Sequence, residues 1–212
     1  MIFKQILSGG DRNFGYLIGC QETKQAALVD PSPDPEPCHK EIQELGLELL
    51  YVINTHNHYD HTGGNEFFIK NAEAKLVAHT SCMAGEVKVE DGDTLELGTL
   101  ELKFIHTPGH TDESMCVLVE KELVTGDTLF VGKIGGTYSR YAAEVEFESL
   151  KKLLELADDI RVWPGHNYGV KPSSTIGEER ANNPFLQRLG NFEDFMWLKE
   201  NWAQYKEEHG IQ

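Results

Sequence analysis

Short apolar runs alternate along the chain with stretches in which apolar side chains recur every three or four positions, the pattern of interleaved strands and helices. Phe3–Leu7, Tyr16–Gly19 and Ala26–Val29 read as an opening set of strands. Asp34 then offers an N-cap with Pro35 at the first helical position, and Cys38, Ile42 and Leu45 follow at helical spacing before Gly46. Leu50–Ile53 is a buried strand that runs straight into Asn54-Thr55-His56. A second helix starts near Gly64, and Leu76–Ala78 is a further strand. Leu95 and Leu97 alternate with Leu100, Leu102 and Phe104 around Gly98-Thr99, which predicts a hairpin. Met115–Val119 and Leu123–Thr125 pair across Glu120-Lys121-Glu122. Phe147, Leu150, Leu154 and Ala157 mark an amphipathic helix, and Ile160–Trp163 a last strand. The class is α/β.

After roughly residue 170 the pattern becomes helix only. Thr175 with Glu178 three residues on is a capping-box signature. Phe195, Leu198, Trp202 and Tyr205 step by three and four, predicting one terminal helix whose apolar stripe packs on the parent domain. The expected organisation is a domain over residues 1–170 and a helical extension over 171–212.

Composition narrows the partners. The 212 residues carry 35 acidic against 19 basic side chains, a formal charge of -16. Such a surface gains nothing from counterion release on nucleic acid and is repelled by anionic lipid. An anionic substrate must then be drawn in by a local positive field. No apolar run approaches the length of a membrane span, and the opening residues lack a basic stretch followed by a long apolar one. Cys20, Cys38, Cys82 and Cys116 are far apart, which predicts reduced thiols in a cytoplasmic protein. A monomer or homodimer is expected.

The chemistry concentrates in Thr55-His56-Asn57-His58-Tyr59-Asp60-His61-Thr62-Gly63-Gly64, at the end of a predicted strand. His56 and His58 are two apart and project to the same side of an extended segment. Asp60 and His61 follow a turn and face back toward a second point nearby. Imidazole with carboxylate suits zinc, iron or manganese, whereas calcium and magnesium prefer oxygen alone. His110, Asp127 and His166 each follow a predicted strand, in Thr107-Pro108-Gly109-His110, Thr125-Gly126-Asp127 and Trp163-Pro164-Gly165-His166. Sites in α/β folds gather outside strand carboxyl ends, so these residues can meet the first cluster.

His56-x-His58-x-Asp60-His61, then His110, Asp127 and His166, resemble the ligand pattern of the metallo-β-lactamase superfamily, in order and without a gap. The resemblance covers roughly residues 1–170 and implies an αββα sandwich with the metals at one edge of two sheets. It implies one cation on His56, His58 and His110, a second on Asp60, His61 and His166, and Asp127 bridging both. Asp30, in Val29-Asp30-Pro31, resembles the carboxylate that orients a ligand histidine from behind. Within the superfamily the chain is similar to the hydroxyacylglutathione hydrolases and to the persulfide dioxygenases. Val131-Gly132-Lys133-Ile134-Gly135-Gly136-Thr137 stands where those enzymes carry a Gly-Cys-Gly-Arg-like segment, which leaves the thiol carrier open.

Two divalent cations, zinc foremost with iron or manganese as alternatives, would bring the pKa of a shared water from ~15.7 toward about 7. The expected activity is hydrolysis of an anionic thioester by the resulting hydroxide, with Asp60 taking the proton. Lys133, Tyr138 and Arg140 are candidates for substrate contact in the segment after Asp127. Two other readings stand beside it. One is a persulfide dioxygenase with a single iron on His56, His110 and Asp127, and the other a non-catalytic metal-binding module.

Overall fold

The computed structural model describes residues 1–211, and its strands divide into two six-stranded sheets and a small hairpin. The first sheet runs in chain order through β1 (Ile2–Leu7), β2 (Phe14–Gly19), β3 (Gln25–Val29), β4 (Glu48–Ile53), β5 (Lys75–His79) and β6 (Val87–Val89). Its first three strands pair antiparallel and the rest parallel, with α1 (Glu36–Leu45) crossing from β3 to β4 and α3 (Asn65–Ala72) from β4 to β5. The second sheet begins with the hairpin β7 (Thr94–Leu97) and β8 (Leu100–His106), continues through β9 (Met115–Val119) and β10 (Glu122–Gly126), and closes with later strands. Between them lies the two-stranded β11 (Leu129–Phe130) and β12 (Lys133–Ile134). After α4 (Arg140–Leu153), β13 (Arg161–Pro164) pairs parallel to β10, and β14 (Ser174–Thr175) forms the edge.

Strand alternation sorts the side chains into three cores. Tyr16, Ile18, Ala27, Val29 and Ile53 point between the sheets, where they meet Leu102, Phe104, Val117 and Val124. Leu17, Leu28 and Val52 point the other way, against Ile42 of α1 and Phe68 of α3. Behind the second sheet, Ile105, Leu123 and Val162 pack on Phe147 and Leu150 of α4 and on Phe195 and Leu198. Helix, sheet, sheet and helix therefore lie in four layers, the αββα order expected.

The C-terminal stretch shares that third core. It comprises α5 (Ile176–Asn182), a 3-10 turn at Leu186–Arg188, α6 (Phe192–Glu200) and α7 (Trp202–His209). Thr175 and Glu178 form the expected capping box, which contributes about 1 kcal/mol to the start of α5. Four local expectations change. Pro35, not Asp34, is the N-cap of α1, and Asp34 Oδ1 accepts the Glu36 amide at 3.3 Å. α4 stops at Leu153, so Ala157 lies beyond it. β14 falls where only helix was expected, because the edge of β13 needs a partner for its backbone groups. The single terminal helix is two, broken at Asn201, where φ is -112°, although Trp202 and Tyr205 still pack against the cluster that holds Phe195.

Candidate metal centre

Each expected ligand sits on the loop or first turn after a strand, on one rim of the sandwich. His56 follows β4, and His58 is the N-cap of a single turn, α2 (Tyr59–Thr62), that carries Asp60 and His61. His110 follows β8, Asp127 follows β10 and His166 follows β13. His58 Nδ1 lies 3.1 Å from His56 Nε2 and 3.1 Å from His110 Nε2. On the other side His61 Nε2 lies 3.2 Å from His166 Nε2, and Asp60 Oδ2 is 3.6 Å and 3.4 Å from those two nitrogens. Asp127 stands between the sets, its Oδ1 3.4 Å from His61 Nε2 and its Oδ2 3.7 Å from His110 Nε2 and 3.3 Å from His166 Nε2.

These separations suit a divalent cation. A tetrahedral ion with bonds of ~2.0–2.1 Å to nitrogen sets its donors about 3.3 Å apart. Nitrogens packed this closely, several without protons between them, repel unless a cation joins them. Asp127 Oδ1 is also buried without a hydrogen-bond partner among the described residues, an arrangement a cation would satisfy.

The partners behind the rings set the tautomers. His61 Nδ1 lies 3.0 Å from Asp30 Oδ2, His110 Nδ1 is 2.8 Å from the Gly136 carbonyl, and His166 Nδ1 is 2.9 Å from the Asp11 carbonyl. Each of these nitrogens donates, which turns Nε2 of the ring toward the centre. His56 Nδ1 is 3.0 Å from Thr55 Oγ1, whose own proton goes to Asp30 Oδ2 at 2.6 Å, so His56 too presents Nε2. Asp30 also takes the Thr55 amide at 2.7 Å. With its oxygens engaged by three donors, Asp30 holds ligands rather than serving as one.

Protonation follows from burial and neighbours. Burial opposes charge on His56 and holds its pKa well below the ordinary value, with His61 adding to the effect; burial also lowers His110. Burial opposes charge on His61 as well, but the hydrogen bond and charge of Asp30 outweigh it and raise the group to about 9. Asp127 would be pushed up by burial, yet His166, His61 and His56 around it hold it well below the carboxylate range. A lasting carboxylate beside the neutral rings of His56 and His110 is the form in which such groups ligate, whereas at His61, and at His166, which Asp127 raises, a cation would have to displace a proton.

Beside Asp127 opens a cavity of about 580 Å³, lined by Lys133, Tyr138, Tyr168, Met196, Lys199 and Trp202 among others. Lys133 lies on β12 with its ammonium 4.4 Å from the Tyr168 ring centroid. Tyr138 is exposed at the cavity rim. Arg140 does not line it; its guanidinium pairs with Glu193 and lies 5.1 Å from the Phe192 ring centroid. Sequence reasoning missed Asn13, Asp11 and Tyr168. The Asn13 Nδ2 lies 2.9 Å from Asp60 Oδ2, and the Tyr168 ring stacks on His166 at 4.5 Å and 4°. The only sequence signal for Asp11 and Asn13 is the polar turn Gly10-Asp11-Arg12-Asn13 between two apolar strands, and for Tyr168 its place two residues after His166.

The profile of the metallo-beta-lactamase superfamily matches residues 9–84 and 83–166. The chain is 38% identical over 178 residues to the hydroxyacylglutathione hydrolase of Polaromonas sp. (strain JS666), covering 79% of this chain and 67% of that one. It is 31% identical over 193 residues to the human mitochondrial persulfide dioxygenase ETHE1, covering 88% of this chain and 76% of that one. The crystal structure of ETHE1 from Myxococcus xanthus superposes with a TM-score of 0.88 at 33% identity, covering 95% of this chain and 91% of that one.

Proposed function

The chain belongs to the metallo-β-lactamase superfamily, and from that premise we propose that it is a two-cation hydrolase of a small anionic thioester, as its similarity to hydroxyacylglutathione hydrolases suggests. The observation that carries this reading is the complete second donor set, Asp60, His61 and His166, joined through Asp127 to the set of His56, His58 and His110. Zinc is the cation we favour, because imidazole nitrogens dominate both sets. The four free cysteines favour a reducing, cytoplasmic setting, and no helix among the described residues is long and apolar enough to cross a membrane.

When bound, such a pair of cations acidifies a shared water toward neutral pH and polarises the carbonyl oxygen of the substrate. Asp60 takes up the water proton on a carboxylate that Asn13 fixes at Oδ2. Asp30 keeps His61 in its ligand tautomer, and Gly136 and Asp11 do the same for His110 and His166. Lys133, together with Tyr138 at the rim, meets the anionic part of the substrate in the cavity beside Asp127. A thiol ionises near ~8.5, so the departing sulfur leaves as thiolate without a proton from any side chain.

The similarity to persulfide dioxygenases supports a second reading, with one iron on His56, His110 and Asp127. Elemental analysis separates the two. Near two equivalents of zinc, with turnover of a hydroxyacylglutathione, supports the hydrolase. One equivalent of iron, with oxygen uptake on glutathione persulfide, supports the dioxygenase. A fully metallated protein inert to both substrates is a binding module. In the hydrolase His58→Ala and Asp127→Ala should both lose metal and activity together, whereas in the dioxygenase Asp127→Ala alone replaces a ligand.

A further inference from the structure

The two donor sets are held in different ways. In the first, His56 and His110 are braced by Thr55 and the Gly136 carbonyl. In the second, two of the three members are held by one short turn between β1 and β2, far away in sequence. Asp11 supplies the carbonyl that takes His166 Nδ1, and Asn13 forms an isolated bridge with His166 itself. The Phe14 amide reaches the Gly165 carbonyl at 2.9 Å, and the Asn167 amide reaches the Arg12 carbonyl at 2.9 Å. The turn and the His166 loop are thus laced together through their backbones.

Asn13 extends this grip to Asp60. It is fully buried, and its Nδ2 lies 2.9 Å from Asp60 Oδ2 and 3.4 Å from His61 Nε2. The amide must face this way. The Asp60 carboxylate can only accept, so the nitrogen of the Asn13 amide is the end turned toward it. Gly10 makes room for the other end of the amide: with φ at +58°, a Cβ there would lie 2.2 Å from Asn13 Oδ1.

Asp60 needs such a partner more than the other ligands do. His61 and His166 are buried, while the Asp60 side chain is 38% exposed on a helix of one turn. A partly exposed carboxylate rotates toward water unless something fixes it. A neutral amide fixes it without cancelling the charge that attracts a cation. We propose that Asn13 is a positioning residue for the second cation, acting by holding Asp60 in register with His61 and His166. This rests on the two-cation reading above.

The experiment is zinc binding by the full chain, followed by titration and by elemental analysis after dialysis against buffered zinc. Asn13→Ala should weaken the second equivalent by about 10–100-fold, the range seen when a ligand loses its outer partner, and leave the first within about threefold. Asn13→Leu keeps the volume and removes the donor, so it should behave alike. In an Asp60→Ala background, Asn13→Ala should change neither equivalent further, because the residue acts through Asp60. Two equivalents held as tightly by either variant as by the unaltered chain overturn the inference alone. So does equal weakening of both equivalents, which marks a general loss of structure. A single equivalent in the unaltered chain at saturating zinc overturns the two-cation reading, and this inference with it.

Discussion

The ammonium of Lys199 lies 3.2 Å from the carbonyl oxygen of Gly135 and pairs with the buried carboxylate of Glu146. Lys199 belongs to α6, and Gly135 precedes the residue whose carbonyl orients His110. Glu146, on α4, presses against Gly109, where φ is +141° and an added Cβ would come 2.6 Å from Glu146 Cα. α6 is therefore tied to the loops on both sides of the candidate ligand His110. Lys199→Met should leave a buried carboxylate uncompensated and destabilise the chain by about 3–5 kcal/mol at pH 8. Denaturant unfolding measures this, and a loss under ~1 kcal/mol would show that water already screens the pair.

The same pair gives a pH signature. Burial raises Glu146 from its ordinary range to about 7, against the pull of Lys199. A folded-state value above the unfolded one means that the native protein holds the proton more tightly. The associated stability is fully present below the unfolded value near ~4.5 and is lost as pH rises through about 7. Glu146→Gln cannot titrate. The stability difference between the unaltered chain and this variant should therefore shift against the unaltered chain between pH 5 and pH 8, by on the order of 3 kcal/mol. A pH-independent difference would place Glu146 in the ordinary carboxylate range.

What the sequence discloses here follows the range of each interaction. The candidate donors His56, His58, Asp60 and His61 are legible because one strand end must deliver them within a few residues, in residue types that suit a divalent metal. The three outer candidates are legible because each follows an apolar run that reads as a strand. The partners behind the rings are not. Gly136 and Asp11 act through carbonyl oxygens that every residue possesses, and Asn13 lies 47 residues from Asp60. Arg140 is a plain cation in the sequence; only the folded chain brings Glu193, 53 residues on, to take its charge. The two-residue strands β11, β12 and β14 and the single turn α2 are too short to show any periodicity, since tertiary pairing alone defines them.

Gly165 is a tight point of the centre. A Cβ there would lie 2.4 Å from Asp127 Oδ1 and 2.7 Å from His61 Cε1, so the residue has room for hydrogen only. Gly165→Ala must push the carboxylate away from the donors on both sides. Zinc affinity should fall at least about tenfold, and hydrolysis with it, although no ligand has been replaced. Elemental analysis after dialysis reads the first effect. Retention of full metal content would mean that the β13 loop yields more readily than the packing indicates.

Lys133 and Arg140 are seven residues apart in one segment, yet only Lys133 lines the cavity. Lys133 faces the cavity beside Asp127 over the ring of Tyr168, where burial lowers its pKa, with Lys206 and Arg12 adding to the effect. A charge-assisted bond from Lys133 to an anionic substrate contributes ~1.5–3 kcal/mol, so Lys133→Ala should raise KM about 10–100-fold. The kcat should change little, because the contact is made equally in the ground and transition states. Arg140→Ala should leave both constants within about twofold, since its guanidinium is spent on Glu193 at the start of α6 and exposed pairs of that kind matter little. Steady-state kinetics on an anionic thioester and on an uncharged one decide the matter. A KM effect of Lys133→Ala that is equal for the two substrates would show that the lysine shapes the cavity and does not bind the anion.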